Sequence, residues 1–468
     1  MGPQRNRISG LGCLAFSFKV KVTFIQVTEI KIQEAIFIMS EQAIKRTMKC
    51  NTPDYFRIAV PAFLFIFCLI LPALSQQADI LLKGGHVIDP KNGIDSQMDI
   101  EIAGGKIIRV APDISSQDAK RTVDVKGLYV TPGLIDIHTH VFVGSGQGFA
   151  DGFSSVSPDD FTFKAGITTV ADAGTSGWRN FPVFRKQVID RSQTRVLAFL
   201  NIAGNGMTGF PSEEDINDMD TRMTSLVAEQ YPDIIVGIKI GHYRGNEWTP
   251  FDRASEAALI AGVPLLVECH LPFLPLEEIL KRMRPGDIYT HSFCVASDRE
   301  CLLDEKGKIK PFVAEAKKRG VRFDVGHGGG MFHFDVAIPA LKQGLIPDSF
   351  GSDLHRSSMN SGMKNMLDIM SKYFNMGMTF EDIIFRATWN PAQSLRRDDL
   401  GHLSEGSVAD IAVFSIRKGT FGFVDTGGTR LNGDRRIETE LTIRGGKIVY
   451  DQNGISATGR IDSQGNRF

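Results

Sequence analysis

The chain has 468 residues, 42% hydrophobic and 23% charged, the composition of an ordinary globular protein with room for two or three domains or one large barrel with additions. Lys and Arg number 53 against 54 Asp and Glu, a formal net charge of −1, so no broad electrostatic attraction to nucleic acid is implied. Six cysteines (Cys13, Cys50, Cys68, Cys269, Cys294 and Cys301) form neither a CxxC pattern nor a dense disulfide framework.

The N-terminal stretch reads as a leader outside the fold. Met48-Lys-Cys and Arg57 give a short basic start, Ile58 to Leu71 are nearly all apolar, and Ala73-Leu-Ser75 places small residues where a signal peptidase reads. This predicts residues 1–75 as an upstream extension plus a signal peptide, cleaved after Ser75, and an exported protein, periplasmic or secreted. The apolar run is shorter than the ~20 residues of a spanning helix, so no stable membrane anchor is expected. Residues 1–47 precede Met48, where a natural initiator would stand. The mature chain would keep Cys269, Cys294 and Cys301, an odd number that leaves at least one thiol unpaired within the chain.

Short strands and turns come next. Ile80 to Asp89 reads as a strand, a Gly-Gly turn and a second strand, and Met98 to Val110 repeats that design with clear alternation. Ala409–Phe414 and Leu441–Tyr450, the latter with its own Gly-Gly turn, match these pieces at the far end. Neither piece could bury a face alone, so residues 76–131 and 403–462 are expected to join in one small β-sandwich domain. Between them, in 132–402, apolar runs alternate with more polar helical stretches such as Arg253–Ala261 and Lys310–Arg319. The runs are Leu134–His140, Thr168–Ala173, Arg195–Ile202, Asp233–Ile240, Pro264–His270, Asp287–Phe293, Arg322–His327 and Ser349–His355. Eight such βα units predict an α/β fold of the TIM (β/α)8 barrel type.

In that barrel, chemistry belongs at the C-terminal ends of the strands. The ionisable residues there are His138 and His140, Lys239, His270, His291 and Asp353. His138 and His140 are two apart, so in a strand both imidazoles face the same way. Seven units separate His138 from Asp353 at about 31 residues each, the size of a βα repeat. Four histidines, an aspartate and a buried lysine make a rational site for two divalent ions, and imidazole with carboxylate suits Zn²⁺. A lysine ammonium cannot bind a cation, but a lysine of depressed pKa can add CO₂ to become an anionic carbamate. Gly237, two residues before Lys239, would leave room for it.

These residues carry a resemblance. PGLIDIHTH (from Pro132), GIKI around Lys239, VECH ending at His270, THSF around His291 and GSDLH around Asp353, with ATWNPAQSL and GHLSEGSVADIAVF later, resemble the amidohydrolase superfamily in its two-metal form with a carboxylated lysine. The likeness spans about residues 78 to 455, with the motifs in the expected order. ADAGTSGW from Ala171, with NFPVFR and TRVLAFLNIAG, is similar to its amidohydrolase/deacetylase, or dihydroorotase-like, branch. The resemblance implies that His138, His140 and Asp353 hold a first zinc, that His270 and His291 hold a second, and that carboxylated Lys239 bridges them. A hydroxide between the metals would attack an amide or ester carbonyl, with Asp353 as general base and then acid. The implied enzyme is a zinc-dependent deacetylase acting on an N-acyl or O-acyl small molecule.

Two rivals stay open. Cyclic amide hydrolysis, as in dihydroorotases and hydantoinases, is disfavoured because Phe142 stands where dihydroorotase-like proteins carry a carboxylate-gripping arginine, although Tyr243 is loosely similar to hydantoinases. A catalytically silent, ligand-binding barrel would keep the fold and lack the metals. For substrate contacts, Arg244 offers a bidentate carboxylate grip, His327 sits in a Gly-rich loop of the active face, and Tyr243 precedes Arg244 in the loop after the fourth strand. Asp136 either orients a ligand or satisfies buried backbone. Cys269 reads as a small buried hydrophobe. The partner is a small-molecule substrate, with homo-oligomerisation left open.

Overall fold

The computed structural model describes residues 78–209, 212–295 and 299–459. The leader-like segment and its cleavage point after Ser75 lie outside the described residues, and among those described no helix is long and apolar enough to cross a membrane.

Five strands come first: β1 (Ile80–Asp89), β2 (Ile94–Ala103), β3 (Lys106–Ala111), β4 (Thr122–Asp124) and β5 (Tyr129–Pro132). Seven follow: β6 (Leu134–Thr139), β7 (Ile167–Gly177), β8 (Arg195–Asn201), β9 (Ile235–Ile240), β10 (Leu265–Glu268), β11 (Ile288–Thr290) and β12 (Arg322–Phe323). The last three are β13 (Ile411–Val424), β14 (Arg430–Arg444) and β15 (Lys447–Asp451).

The two ends of the chain share one mixed sheet, ordered β15-β14-β13-β5-β1-β2-β3 with β4 beside β1. The seam is the antiparallel pairing of β5 with β13, Thr131 opposite Ala412. Ile80, Leu82, Val87, Ile100, Ile102, Ile107, Val130, Ile411, Val413, Leu441 and Ile443 fill a common core, which is why neither end needs to be stable alone. Gly104-Gly105 and Gly445-Gly446 form tight hairpin turns at positive φ, as read from the sequence. Gly84-Gly85 does not turn. β1 runs straight through it with a register shift between Leu82 and Gly85, a bulge in which a Cβ on Gly85 would meet Val130 Cγ2 at 2.5 Å. The hairpin of β13 and β14 also outgrows its expected length. Its outer half packs Phe421, Phe423 and Ile437 into the main core, to which helix Met366–Asn375 also contributes.

The middle of the chain is the barrel. Strands β6 to β12 are parallel and neighbours in sequence order. The eighth position is taken by Ser349–Leu354, which bridges Asp324 after β12 at Ser349 and Thr139 of β6 at Leu354. The backbone N–H groups of Asp353 and His140 complete the seam, donating to His138 O (2.7 Å) and Leu354 O (2.8 Å). The ring therefore closes as expected, but its eighth member is two bridges and not a regular strand. Inside it, Ile135, Ile137, Ala171, Leu197, Phe199, Val236, Leu266 and Ile288 pack on Leu395 and Leu400, so one end is plugged. The helices Thr221–Gln230, Thr249–Ile260, Leu276–Arg282, Pro311–Arg319 and Phe334–Lys342 follow successive strands. Pro311–Arg319 turns Val313 and Ala316 inward and ends on Gly320 in the left-handed region.

Candidate metal centre at the barrel mouth

All six predicted ligands converge. His138, His140, Lys239, His291 and Asp353 are buried, and His270 is partly covered. Three groups among the described residues have ligand atoms within 4.8 Å of one another: His138, His140 and Asp353; His138, Glu268 and His291; His242, Glu268 and His270. The first is the set expected for one ion. The other two divide His291 from His270 and place Glu268 in both.

The rings are aimed by their far nitrogens. Thr290 Oγ1 donates to Asp324 Oδ2 (2.7 Å), so it must accept from His138 Nδ1 (2.9 Å). His291 Nδ1 donates to Gly326 O (2.6 Å), since a carbonyl only accepts. His291, and His138 in its neutral form, therefore carry the proton on Nδ1 and turn the Nε2 lone pair inward, the tautomer a metal ligand needs. His140 Nδ1 meets Thr175 Oγ1 at 2.8 Å, and its Nε2 lies 3.1 Å from Asp353 Oδ1.

Three buried atoms at this point have no hydrogen-bond partner: His138 Nε2, Glu268 Oε2 and His270 Nδ1. A buried polar atom left unsatisfied costs about 1–3 kcal/mol, so three such atoms at one barrel mouth call for partners, and Glu268 is the residue whose ligand groups include both His138 and His270. Lone pairs and a carboxylate oxygen are the donor set of a divalent cation, and the residues fit one. His291, Asp353 and His242 moreover hold φ values of 57°, 53° and 60°. Left-handed backbone at non-glycine residues is costly and gathers at functional sites.

Charge in the site is strongly coupled. Burial pushes His140 and His291 down to about 4 and His270 to about 3, so all three are neutral ligands at ordinary pH. Burial also opposes a charge on His138, but Asp324, Asp353 and Glu268 outweigh it and raise its pKa. Lys239 departs from expectation. Its pKa is raised: burial would lower it, but Glu268, 2.9 Å away, Glu213 and Asp353 hold it as an ammonium. Burial disfavours the Asp353 carboxylate too, yet His355, His140 and His138 keep it well below the usual range.

Asp136 accepts from the backbone N–H of His138 (3.2 Å) and Ser352 (3.0 Å) and from the Ser352 hydroxyl. It thus ties β6 to the eighth segment directly behind His138 and Asp353, and satisfies backbone. Cys269 is buried, with its Sγ 3.9 Å from Cys294 Sγ, a contact and not a disulfide bond.

The pocket above the cluster encloses ≈ 420 Å³ and is lined by Phe149, Met207, Met331, His355 and Ser361 besides the ligand residues. None of the three proposed substrate contacts lines it. Arg244 is exposed, with its backbone N–H on Glu214. Tyr243 is buried in the main core, because the loop after β9 turns its ring under Gly245. His327 is fully buried, stacked on Phe332 at 4.6 Å with Nε2 2.8 Å from Lys372 Nζ. Gly237 makes room for Phe199, whose Cε1 would stand 2.5 Å from an added Cβ. Space for the Lys239 stem comes from Gly174 (φ 74°), where a Cβ would lie 2.8 Å from Lys239 Cβ. Glu268 carries a sequence signal of its own. It precedes His270 by two, the same spacing that singles out His138 and His140.

A closed βα barrel whose strand ends gather imidazoles and carboxylates around unsatisfied ligand atoms defines a metal-dependent hydrolase. The chain belongs to the amidohydrolase family. The family model matches residues 333–449. A deacetylase of Agrobacterium fabrum is 32% identical over 80% of this chain and 92% of its own length. Among solved structures, one described as an adenine deaminase is 31% identical with a TM-score of 0.73, covering 80% of this chain and all of that one. Another, described as a dihydroorotase, is 30% identical with a TM-score of 0.71, covering 80% of this chain and 99% of that one.

Proposed function

We propose that the protein is an exported, zinc-dependent deacetylase that hydrolyses an N-acyl or O-acyl small molecule. The observation that carries this reading is that His138 Nε2, Glu268 Oε2 and His270 Nδ1 are all buried and unpartnered and belong to neighbouring ligand groups, one of which includes Asp353, at the mouth of the barrel. The similarity to the Agrobacterium fabrum deacetylase over most of both chains supports the acyl substrate. His138, His140 and Asp353 would hold one ion, and His291, His270 and Lys239 as its carbamate would complete a second position. Bound zinc supplies Lewis acidity for the acyl carbonyl and lowers the pKa of water from 15.7 to about 7.

The residues of the chain do the rest. Asp353, kept ionised by His355 and His140, accepts the proton of the attacking water and delivers it to the leaving nitrogen or oxygen. Phe149, Met207 and Met331 give the pocket an apolar wall against which a small acyl group packs. Carboxylation of Lys239 requires that Glu268 find another cationic partner, since an ammonium in an ion pair has no lone pair to add to CO₂. Phe142, which stands where a dihydroorotase-like protein would grip a carboxylate, is buried against Phe184 with ring centroids 4.8 Å apart, so that position offers no cation to a cyclic acid substrate.

The test is a screen of N-acetyl amino acids, acetyl esters and cyclic amides with zinc-loaded protein, preceded by metal analysis. Hydrolysis of an acetylated compound at two zinc ions per chain is expected. Turnover confined to cyclic amides would replace the acyl reading, and a protein that takes up no metal would be a silent barrel. Sequencing the N-terminus of the protein secreted by an expressing host tests export, with Gln76 expected first.

A further inference from the structure

The strand-five position is where the structure departs from the ligand set read from the sequence. β10 ends at Glu268, paired with Thr290 of β11, while His270 lies beyond the strand and is partly exposed. The Glu268 carboxylate is buried and sits among four ring or ammonium nitrogens. Oε1 is 2.9 Å from Lys239 Nζ and 3.6 Å from His138 Nε2, and Oε2 is 3.3 Å from both His242 Nε2 and His270 Nδ1. Oε2 has no hydrogen bond, because neither imidazole nitrogen approaches it in donor geometry. Two buried polar atoms held 3.3 Å apart without bonding are arranged around something other than each other. An added Cβ on Gly241 would come within 2.6 Å of Oε2, so the glycine is what leaves that side of the carboxylate open.

We infer that Glu268 is itself a ligand of the second ion, through Oε2 and together with His270 or His291, and so supplies an anionic donor at the strand-five position, for which the histidine reading counts the neutral His270 alone. This deepens the deacetylase reading and rests on it for the presence of metal. A role as mere counter-ion would pair Oε1 with Lys239 and Oε2 with His242. It would leave unexplained why His270 Nδ1 also stands 3.3 Å from Oε2 without bonding it and why Glu268 belongs to two of the three candidate ligand groups. The charge also suits the task, since a carboxylate in this setting is held well below its usual pKa range by Lys239 and His242 against the opposing effect of burial.

The experiment compares wild type with Glu268→Gln, which keeps the side-chain shape and an acceptor for Lys239. Zinc per chain and affinity are read by elemental analysis and chelator competition, without recourse to activity. A ligand role predicts that wild type binds two ions and that E268Q holds one unchanged and binds the other more than about 100-fold more weakly, beyond the 10–100-fold that loss of an indirect partner costs. Two ions with unaltered affinity in E268Q would overturn the inference and leave the hydrolase reading standing. Wild type without any ion would overturn both. Should E268Q fail to fold, anomalous scattering from a zinc-loaded wild-type crystal decides: a zinc ~2.0–2.2 Å from a Glu268 oxygen upholds the inference, and one beyond bonding distance refutes it.

Discussion

Thr290→Val removes one hydroxyl and tests whether the orientation of His138 governs metal binding. The Thr290 hydroxyl is fully buried between His138 Nδ1 (2.9 Å) and Asp324 Oδ2 (2.7 Å). Valine keeps the shape of the side chain and breaks both bonds. Asp324 retains Ser349 Oγ (2.5 Å) and the Gly351 N–H (2.8 Å) on its other oxygen, so the main loss is a charged hydrogen bond of about 1.5–3 kcal/mol plus an imidazole N–H left without an acceptor, about 1–3 kcal/mol. The metal-free protein should therefore lose about 2.5–6 kcal/mol of stability. Freed of the bond that sets its tautomer, His138 should bind zinc about 10–100-fold more weakly, equivalent to about 1.4–2.7 kcal/mol. Denaturant unfolding measures the first quantity and chelator competition the second. Thr290→Ser, which restores the hydroxyl, should recover most of both. Unchanged zinc affinity in the valine variant, or a serine variant as impaired as valine, would refute the argument.

Three further outcomes follow from the same geometry. Asp353→Asn should lower kcat by at least about 10²-fold, while circular dichroism shows an intact fold; normal turnover would remove the carboxylate from proton transfer. Zinc uptake near pH 6 should release a proton from His138, whose pKa lies above 6.5, and none from His140 or His291, which stay neutral down to about 4. Affinity should accordingly fall as pH is lowered through the His138 pKa, and calorimetry in buffers of different ionisation enthalpy reads the proton directly; an absence of buffer dependence contradicts the charge assignment. Gly174→Ala combines a left-handed φ, about 1–2 kcal/mol, with overlap of the Lys239 stem, about 1–3 kcal/mol. It should shift the urea midpoint by about 2–5 kcal/mol of stability, whereas an unshifted midpoint would mean that Lys239 does not depend on that space.

Much of the centre was legible because βα repetition is a regular code. Apolar runs at intervals of about 31 residues put His138, Lys239, His291 and Asp353 at or just past strand ends, and the barrel brings strand ends together whatever the intervening loops do. The substrate contacts were not legible for the complementary reason. Tyr243 and His327 lie on irregular loops, where a one-residue change in turn geometry decides between pocket and core, and both rings went to the core. The strand ends themselves were overextended: β10 and β11 stop at Glu268 and Thr290, so His270 and His291 belong to loops. In β1, Gly84-Gly85 has the composition of a turn, and only the neighbouring β5, with Val130 pressed against Gly85, decides that it is a bulge.

Residue order alone determined the class of fold, the union of the two chain ends in one β domain and the imidazole-rich centre, because these depend on periodicity, which is local; that the ends share a single mixed sheet was decided by the pairing of β5 with β13. Tertiary structure decided which nitrogen of each imidazole faces inward, that Lys239 pairs with Glu268, and that Glu268 stands at the heart of the cluster. Those features depend on contacts between Thr290 and Asp324, between β9 and β10, and across the closing seam at Leu354, partners that no spacing within a single segment encodes.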